Sequence, residues 1–211
     1  MRYWYQLRLM CVFLAVFGCT QMQGCVSART SGSTATVPVE VLQSETLRLE
    51  KNPIVADSVY VSLRDASGKV FGLRRLMEDR LRSLGYAVTE NPSRAGYILQ
   101  LHIVEAGKAD PAVVRAAVTA GYDAEVLHGG DGACVLAADV LVALRKSPKI
   151  SGRQSHVIKS TSVRTAVGHH QLRVAALSGN PGCTLQAALP ELEEGIVGAV
   201  SAVLPPLQTA R

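Results

Sequence analysis

Aromatic residues are scarce in this sequence: among 211 residues there are six Tyr, three Phe and one Trp. Any hydrophobic core must therefore be built mainly from Val, Leu, Ile and Ala, although apolar residues still make up 48% of the chain. Proteins that bind single-stranded nucleic acids usually interleave aromatic side chains with a basic groove. Because the basic residues are scattered despite a net charge of +5, we predict no nucleic-acid partner.

Catalytic and cofactor motifs are also missing. The sequence contains no Gly-x-Ser-x-Gly, no phosphate-binding loop and no dinucleotide-binding fingerprint. The acidic pairs Glu193-Glu194 and Glu78-Asp79 fall on predicted helix surfaces, where solvated charge is the usual explanation. We therefore predict a protein that is not an enzyme, with no catalytic residues and no cofactor.

Metal-binding spacings such as HxxxH and CxxC do not occur either. His169 and His170 are adjacent, and adjacent residues of a strand point to opposite faces, so both can hardly ligate one ion. A site that also used Cys183 would meet the same difficulty. We predict no metal site.

No apolar run reaches the roughly 20 residues of a transmembrane helix. The amino terminus instead has a short apolar segment, Leu9 to Phe17, preceded by Arg2 and Arg8 and no acidic residue. This pattern is typical of an export signal. We predict that residues 1–18 form a lipoprotein signal peptide.

The residue after the signal is Cys19, and the preceding Ala15-Val16-Phe17-Gly18 resembles a lipobox. Cys19 would become the first mature residue and carry two or three acyl chains, which anchor a protein stably where one chain does not. The alternative attachment residue is Cys25, although Gln21 and Gln23 fit the apolar preference poorly. The alternative to lipidation is an ordinary cleaved signal peptide, with neither cysteine lipidated.

Residues 19–43 are rich in Ser, Thr, Gln and Gly, a composition typical of a flexible tether. Beyond it, alternating apolar and polar residues predict strands at 44–50, 58–64, 86–90, 97–104, 134–145, 157–165 and 171–177. In the clearest of them, four residues face the core: Tyr97, Leu99, Leu101 and Ile103.

Helical spacing of leucines predicts one helix from Gly72 to Leu84, ended by Gly85. A second helix should begin near Pro190 and stop at Pro205-Pro206. The expected fold is α+β: a mostly antiparallel sheet with a helix packed on it and a C-terminal helix. The domain would span 44–204, followed by a tail at 205–211.

Cys134 and Cys183 are the only cysteines of this predicted domain. In an oxidising exported location they could form a disulfide. Two buried free thiols are the equal alternative, because sequence alone cannot place the two residues within bonding distance.

The order of these motifs resembles the TraT family. The resemblance is carried by Ser44 to Glu50, by the strand Val59–Leu63, by Leu84-Gly85-Tyr86, by Tyr97 to Gln100 and by Ala188 to Glu194. It covers roughly 41–110 and 133–204. The family spacing from the lipidated cysteine to the first strand favours Cys25 and so competes with the lipobox at Cys19.

The sequence departs from the family between residues 110 and 132. Family members carry a long apolar hairpin there, whereas this shorter stretch contains Arg115, Asp123, Glu125 and Asp131. Charges in hydrocarbon are costly, so attachment should depend on lipid alone. We expect an amphipathic loop or helix containing Val113, Val114, Ala117 and Val118.

The resemblance implies an outer-membrane lipoprotein that acts in surface exclusion of conjugation or in complement resistance. Its partners would be the bilayer, through N-terminal acyl chains, further copies of itself in a homo-oligomer, and cell-surface or envelope proteins. Neither Thr20 nor Val26 is the Asp that retains enterobacterial lipoproteins at the inner membrane. The alternative function is a periplasm-facing scaffold or assembly lipoprotein of an envelope machine.

Overall fold

The computed structural model describes residues 39–125, 130–145, 166–180 and 182–207. Six strands and three helices form within these ranges. The strands are β1 (Glu40–Gln43), β2 (Ser58–Asp65), β3 (Ala87–Val88), β4 (Tyr97–Ala109), β5 (Ala133–Arg145) and β6 (Ala166–Leu177). The helices are α1 (Leu73–Ser83), α2 (Pro111–Ala120) and α3 (Leu185–Ser201).

All six strands lie in one sheet with the order β1-β6-β5-β4-β2-β3. Strands β4, β5 and β6 are antiparallel neighbours and β1 is antiparallel to β6. Strand β2 is parallel to both β3 and β4. The α+β class is confirmed, and the sheet is mixed rather than purely antiparallel because α1 returns the chain to the end where β2 began.

One face of the sheet is covered by α1 and α3. Strand β4 contributes its alternate residues to this face, and the predicted Tyr97, Leu99, Leu101 and Ile103 are all at most 2% exposed. From α1, Leu73, Met77 and Leu81 are fully buried against them. We call this the α1/α3 face.

Helix α1 ends as its sequence predicts. Gly85 has a positive φ of 93°. The N–H of Gly85 donates to Arg82 C=O at 3.0 Å, and the N–H of Tyr86 donates to Leu81 C=O at 3.0 Å. These two bonds satisfy carbonyls that the last turn would otherwise leave unpaired. Tyr86 is buried beside Leu81 and supplies the hydrophobic contact of this motif.

The opposite face carries α2, and we call it the α2 face. Asp110 caps this helix by accepting a hydrogen bond from Ala112 N–H at 2.8 Å, and Pro111 occupies the first helical position. Val114 and Val118 are its buried residues, so the stretch predicted to be amphipathic forms a short helix on the sheet.

Several predicted boundaries are wrong: β4 continues past residue 104 to Ala109, and β6 begins at Ala166 and not at 171. The run Ser44–Glu50 is not a strand; Leu47 and Leu49 pack against the core, and Leu49 N–H donates to Val203 C=O at 2.8 Å. The strand of this region is β1, within the last residues of the predicted tether. The error arises because Leu49 bonds Val203, in the segment after α3, and not a strand.

Helix α3 begins at Leu185 and not near Pro190, which lies inside the helix. The first turn forms before the proline, since Ala187 and Ala188 both donate to Thr184 C=O at 3.1 Å. Pro190 is on the outer side of the helix, where water can satisfy the carbonyl that loses its partner. The predicted strand 157–165 lies outside the described residues.

Candidate functional site

A buried ion pair lies on the α2 face at the centre of the sheet. Asp139 of β5 is directly opposite Arg173 of β6, and the two residues are 4% and 1% exposed. Arg173 Nε donates to Asp139 Oδ1 at 2.7 Å, and an η nitrogen donates to Oδ2 at 2.8 Å. This bidentate geometry is the strongest form of the Arg–carboxylate interaction.

The remaining donors of Arg173 hold the α2 segment on the sheet. The second η nitrogen donates to Ala124 C=O at 2.9 Å and lies 3.5 Å from Ala117 C=O. Asp139 Oδ2 also accepts the backbone N–H of Asp123 at 3.2 Å. Both charged groups therefore form their hydrogen bonds within the protein. The pair positions the α2 segment on the sheet.

The space beside this pair is too small for a ligand. The cavity between α2 and the sheet measures about 10 Å³ and is lined mainly by apolar side chains, with Arg173 at its edge. That is close to the minimum needed for one water molecule. The arrangement offers neither a substrate pocket nor a free nucleophile.

The first turn of α1 lies beside a buried carboxylate of another helix. Glu193 of α3 is 8% exposed, its carboxylate faces the backbone N–H groups of Gly72 and Leu73, and its Oε1 is buried without a hydrogen-bond partner. Burial raises the pKa of Glu193, and the nearby backbone N–H groups of Gly72 and Leu73 oppose that rise. A side chain on Gly72 would place its Cβ 3.0 Å from Glu193 Oε2, so glycine permits this close approach.

The structure joins Cys134 and Cys183 in a disulfide, with their Cα atoms 6.0 Å apart. Cys134 is in β5, and Cys183 lies two residues before α3 begins. The bond therefore ties the start of α3 to the central strands of the sheet. Both cysteines are buried, at 0% and 8% exposure.

The other predicted residues are not brought into a site. His169 and His170 are neighbours in β6, His169 exposed and His170 partly buried. Within the described part of the chain, no three His, Cys, Asp or Glu side chains converge as metal ligands. Cys19 and Cys25, the predicted lipid-attachment residues, lie outside the described residues.

The ion pair was not predicted from the sequence, although a signal was present. Asp139 interrupts an otherwise apolar run in β5, and Arg173 interrupts another in β6. A charge in the middle of a buried strand requires a partner. Pairing the two interruptions would have located this site.

Comparison with known proteins adds to this description of an α+β chain. The family model "Enterobacterial TraT complement resistance protein" matches residues 37–151. The chain belongs to the TraT family.

Two relatives show the extent of the similarity. A TraT complement resistance protein of Escherichia coli is 25% identical over 130 residues, which are 61% of this chain and 52% of the relative. The protein of that name from Wigglesworthia glossinidia brevipalpis is 28% identical over 100 residues, 47% of this chain and 40% of the relative. The chain thus aligns with about half the length of the curated relatives it matches.

Solved structures are only distantly similar. A PelC dodecamer from Paraburkholderia phytofirmans has a TM-score of 0.40 and 15% identity, covering 80% of this chain and 99% of that chain. A minor lipoprotein from Acinetobacter baumannii has a TM-score of 0.29 and 13% identity, covering 71% of this chain and 87% of that one.

Proposed function

We propose that the protein is an outer-membrane lipoprotein of the TraT type that acts non-enzymatically, by display on the cell surface. It would contribute to complement resistance, to surface exclusion of conjugation, or to both. The observation that carries the proposal is the family match over residues 37–151, because the relatives are named for complement resistance. The attachment residue is Cys19, with Cys25 as the alternative.

The α2 segment supports attachment through lipid. Helix α2 has ten residues, and its buried side chains Val114 and Val118 pack on the protein's own sheet. Among the described helices, none is long and apolar enough to cross a membrane. Acyl chains on a processed cysteine would supply stable residence at a bilayer.

Fractionation of cells tests the anchor. Replacing both Cys19 and Cys25 by Ser should move the protein from the membrane to the soluble fraction, and each single replacement identifies the lipidated residue. Persistent membrane association of the double variant would contradict the anchor. The matched control is Cys11→Ser, which changes a cysteine inside the signal peptide.

Survival of cells in serum tests the display function. Cells that express the wild-type protein should survive better than cells that express the soluble Cys19→Ser, Cys25→Ser variant. Equal survival, at equal protein levels, would contradict a role in complement resistance. Surface exclusion is tested by the frequency of mating into the same two strains. Equal frequencies, at equal protein levels, would contradict a role in surface exclusion.

A second candidate is a periplasm-facing scaffold or assembly lipoprotein of an envelope machine. The specific observation in its favour is that the middle segment folds back on the sheet, where Arg173 fixes it, instead of forming a long apolar hairpin. Protease treatment of intact cells distinguishes the two candidates. Cleavage of the protein supports surface display, and protection supports the periplasm-facing role.

Self-association is part of both candidates. A display protein or a scaffold would act as a homo-oligomer in contact with other envelope proteins. Crosslinking of intact cells, followed by measurement of the mass of the crosslinked species, tests this proposal. A species of monomer mass only would contradict it.

A further inference from the structure

Phe71 is the most exposed large hydrophobic residue in the described part of the chain. It is 87% exposed, whereas Ile54, Val41 and Tyr122 are between 37% and 41% exposed. It lies between β2 and α1, next to the buried Val70. An isolated apolar residue on a surface is ordinary, so what distinguishes Phe71 is how it is held and where it lies.

The loop that carries Phe71 is held on its amino-terminal side by side chains. Val70 is 5% exposed, and its N–H donates to Asp65 Oδ2 at 2.9 Å. Lys69 Nζ donates to Ala106 C=O of β4 at 2.9 Å. These contacts fix the backbone immediately before Phe71.

The same loop is held on its carboxy-terminal side by α3. The Glu193 carboxylate meets the N–H groups of Gly72 and Leu73, and Leu73 is fully buried. Phe71 thus stands between two anchored residues and projects into water. Because the backbone on both sides of Phe71 is already ordered, a partner that covers it has to order only the side chain.

The register of the sheet places Phe71 at the end where the amino-terminal segment enters. Glu40, the first residue of β1, is opposite Leu177, Leu177 is opposite Val135, and Val135 is opposite Gly107. The loop that carries Phe71 reaches this row of paired residues, because Lys69 Nζ donates to the C=O of Ala106, the residue before Gly107. At about 4.8 Å per strand, Phe71 and Glu40 are separated by roughly 20 Å across one end of the domain.

Lys69 and Lys108 are exposed at the same end and line one groove together with the half-buried Glu105, so the groove has two cationic side chains and one acidic one. Cationic side chains next to an apolar one favour an anionic membrane surface. The tether is long enough for such a contact. From Cys25 to Glu40 there are 15 residues, which extend to at most about 50 Å at ~3.3 Å each.

We infer that Phe71 inserts into the interfacial layer of the bilayer to which the chain is anchored, with Lys69 and Lys108 facing its anionic headgroups. This inference rests on the proposed lipid anchor. The acyl chains keep the domain at the surface, so insertion of Phe71 is an intramolecular second contact that needs little affinity of its own. It would orient the sheet with the β1 entry end toward the membrane.

The sequence offers a clean probe for this contact. The only tryptophan is Trp4, inside the predicted signal peptide, so the mature protein contains none. In the Phe71→Trp variant the new residue is then the sole tryptophan. The matched control is Ile54→Trp, because Ile54 is 41% exposed and precedes β2 at the opposite end of the sheet.

Each mature, lipidated variant is reconstituted into phosphatidylethanolamine–phosphatidylglycerol vesicles, with and without brominated acyl chains. Flotation first shows whether the protein is bound. We expect both variants to float, and the Phe71→Trp emission to shift to the blue and lose roughly half its intensity to bromine, since interfacial residues lie ~5–10 Å deep. The Ile54→Trp emission should stay unshifted and unquenched.

Two results overturn the inference while leaving the anchor intact. In one, both variants float but the Phe71→Trp emission equals that of Ile54→Trp. In the other, the Phe71→Trp emission is shifted to the blue and bromine leaves it unchanged, which would place Phe71 against protein, for example a second copy. If neither variant floats, the proposed anchor fails and the inference fails with it.

Discussion

The two faces of the sheet are covered in different ways. Among the described residues, the α1/α3 face buries a cluster of 31, whereas the α2 face buries a cluster of only eight. Helix α2 has ten residues, of which two are buried, and a helix this short is marginal without tertiary support. Apolar burial therefore holds the first face together, while the Asp139–Arg173 pair fixes the covering of the second.

The largest effect should follow removal of one member of the buried pair. Asp139→Ala leaves the Arg173 guanidinium buried without its carboxylate, and such a change typically costs about 3–5 kcal/mol of unfolding free energy. Replacing the pair together, as Asp139→Leu with Arg173→Met, should restore most of this stability because no charge is left unpaired. Urea unfolding of the wild type, the single variant and the double variant measures these differences in unfolding free energy. Equal loss in the single and double variants would contradict the pairing.

On the α1/α3 face, the disulfide should have the next largest effect. The bond closes a loop between residues 49 apart in sequence, and a loop of this length typically gives about 2–4 kcal/mol of stabilisation. The variant Cys134→Ala with Cys183→Ala should therefore unfold at lower urea than the oxidised wild type. A reducing agent should lower the wild-type midpoint and leave that of the variant unchanged. If it leaves both unchanged, the bond does not form in solution.

Glu193 should make the stability of the α1/α3 face depend on pH. Burial raises its pKa above the ordinary 4.5, so the folded chain binds this proton more tightly than the unfolded chain. The stabilisation is present below pH 4.5 and is lost as the pH rises through the folded pKa. Unfolding of wild type and Glu193→Gln is compared on both sides of this range. The unfolding free energy of the wild type should fall relative to that of the variant as the pH increases. A rise would contradict the assignment.

The smallest effect is expected on the outside of the α2 face. Arg115 of α2 donates to Glu40 of β1 at 2.7 Å, but the two side chains are 51% and 43% exposed. Exposed pairs contribute little and are screened by salt. Arg115→Ala should change the unfolding midpoint least of all these variants. At ~1 M salt, where the Debye length is ~3 Å, the difference should vanish; a large, salt-independent loss would contradict this view.

The sequence was informative where periodicity alone decides structure. Strand β4 alternates strictly from Tyr97 to Val104, and α1 has leucines at helical spacing with Gly85 after it, so both were predicted from local pattern. Strand β1 was missed because four residues are too few to show a period, and its partner is β6, more than a hundred residues away. The alternation of Leu47 and Leu49 is real, but it reflects packing of both side chains against the core without a neighbouring strand.

The buried pair and the burial of Glu193 could not be predicted from local patterns in the same way. Asp139 and Arg173 are 34 residues apart, and only the β5–β6 register brings them together. Glu193 resembles any solvated helix glutamate in the sequence. It is buried because α3 crosses the start of α1 at a glycine, Gly72, which lets the carboxylate approach the backbone.

Metabolic labelling with radioactive palmitate is the decisive measurement, since display, orientation by Phe71 and retention at the envelope all require an acylated cysteine. Wild-type protein should incorporate label, and the variant with Ser at both positions 19 and 25 should incorporate none. A mature wild-type chain that remains unlabelled would contradict lipid anchoring and everything built on it.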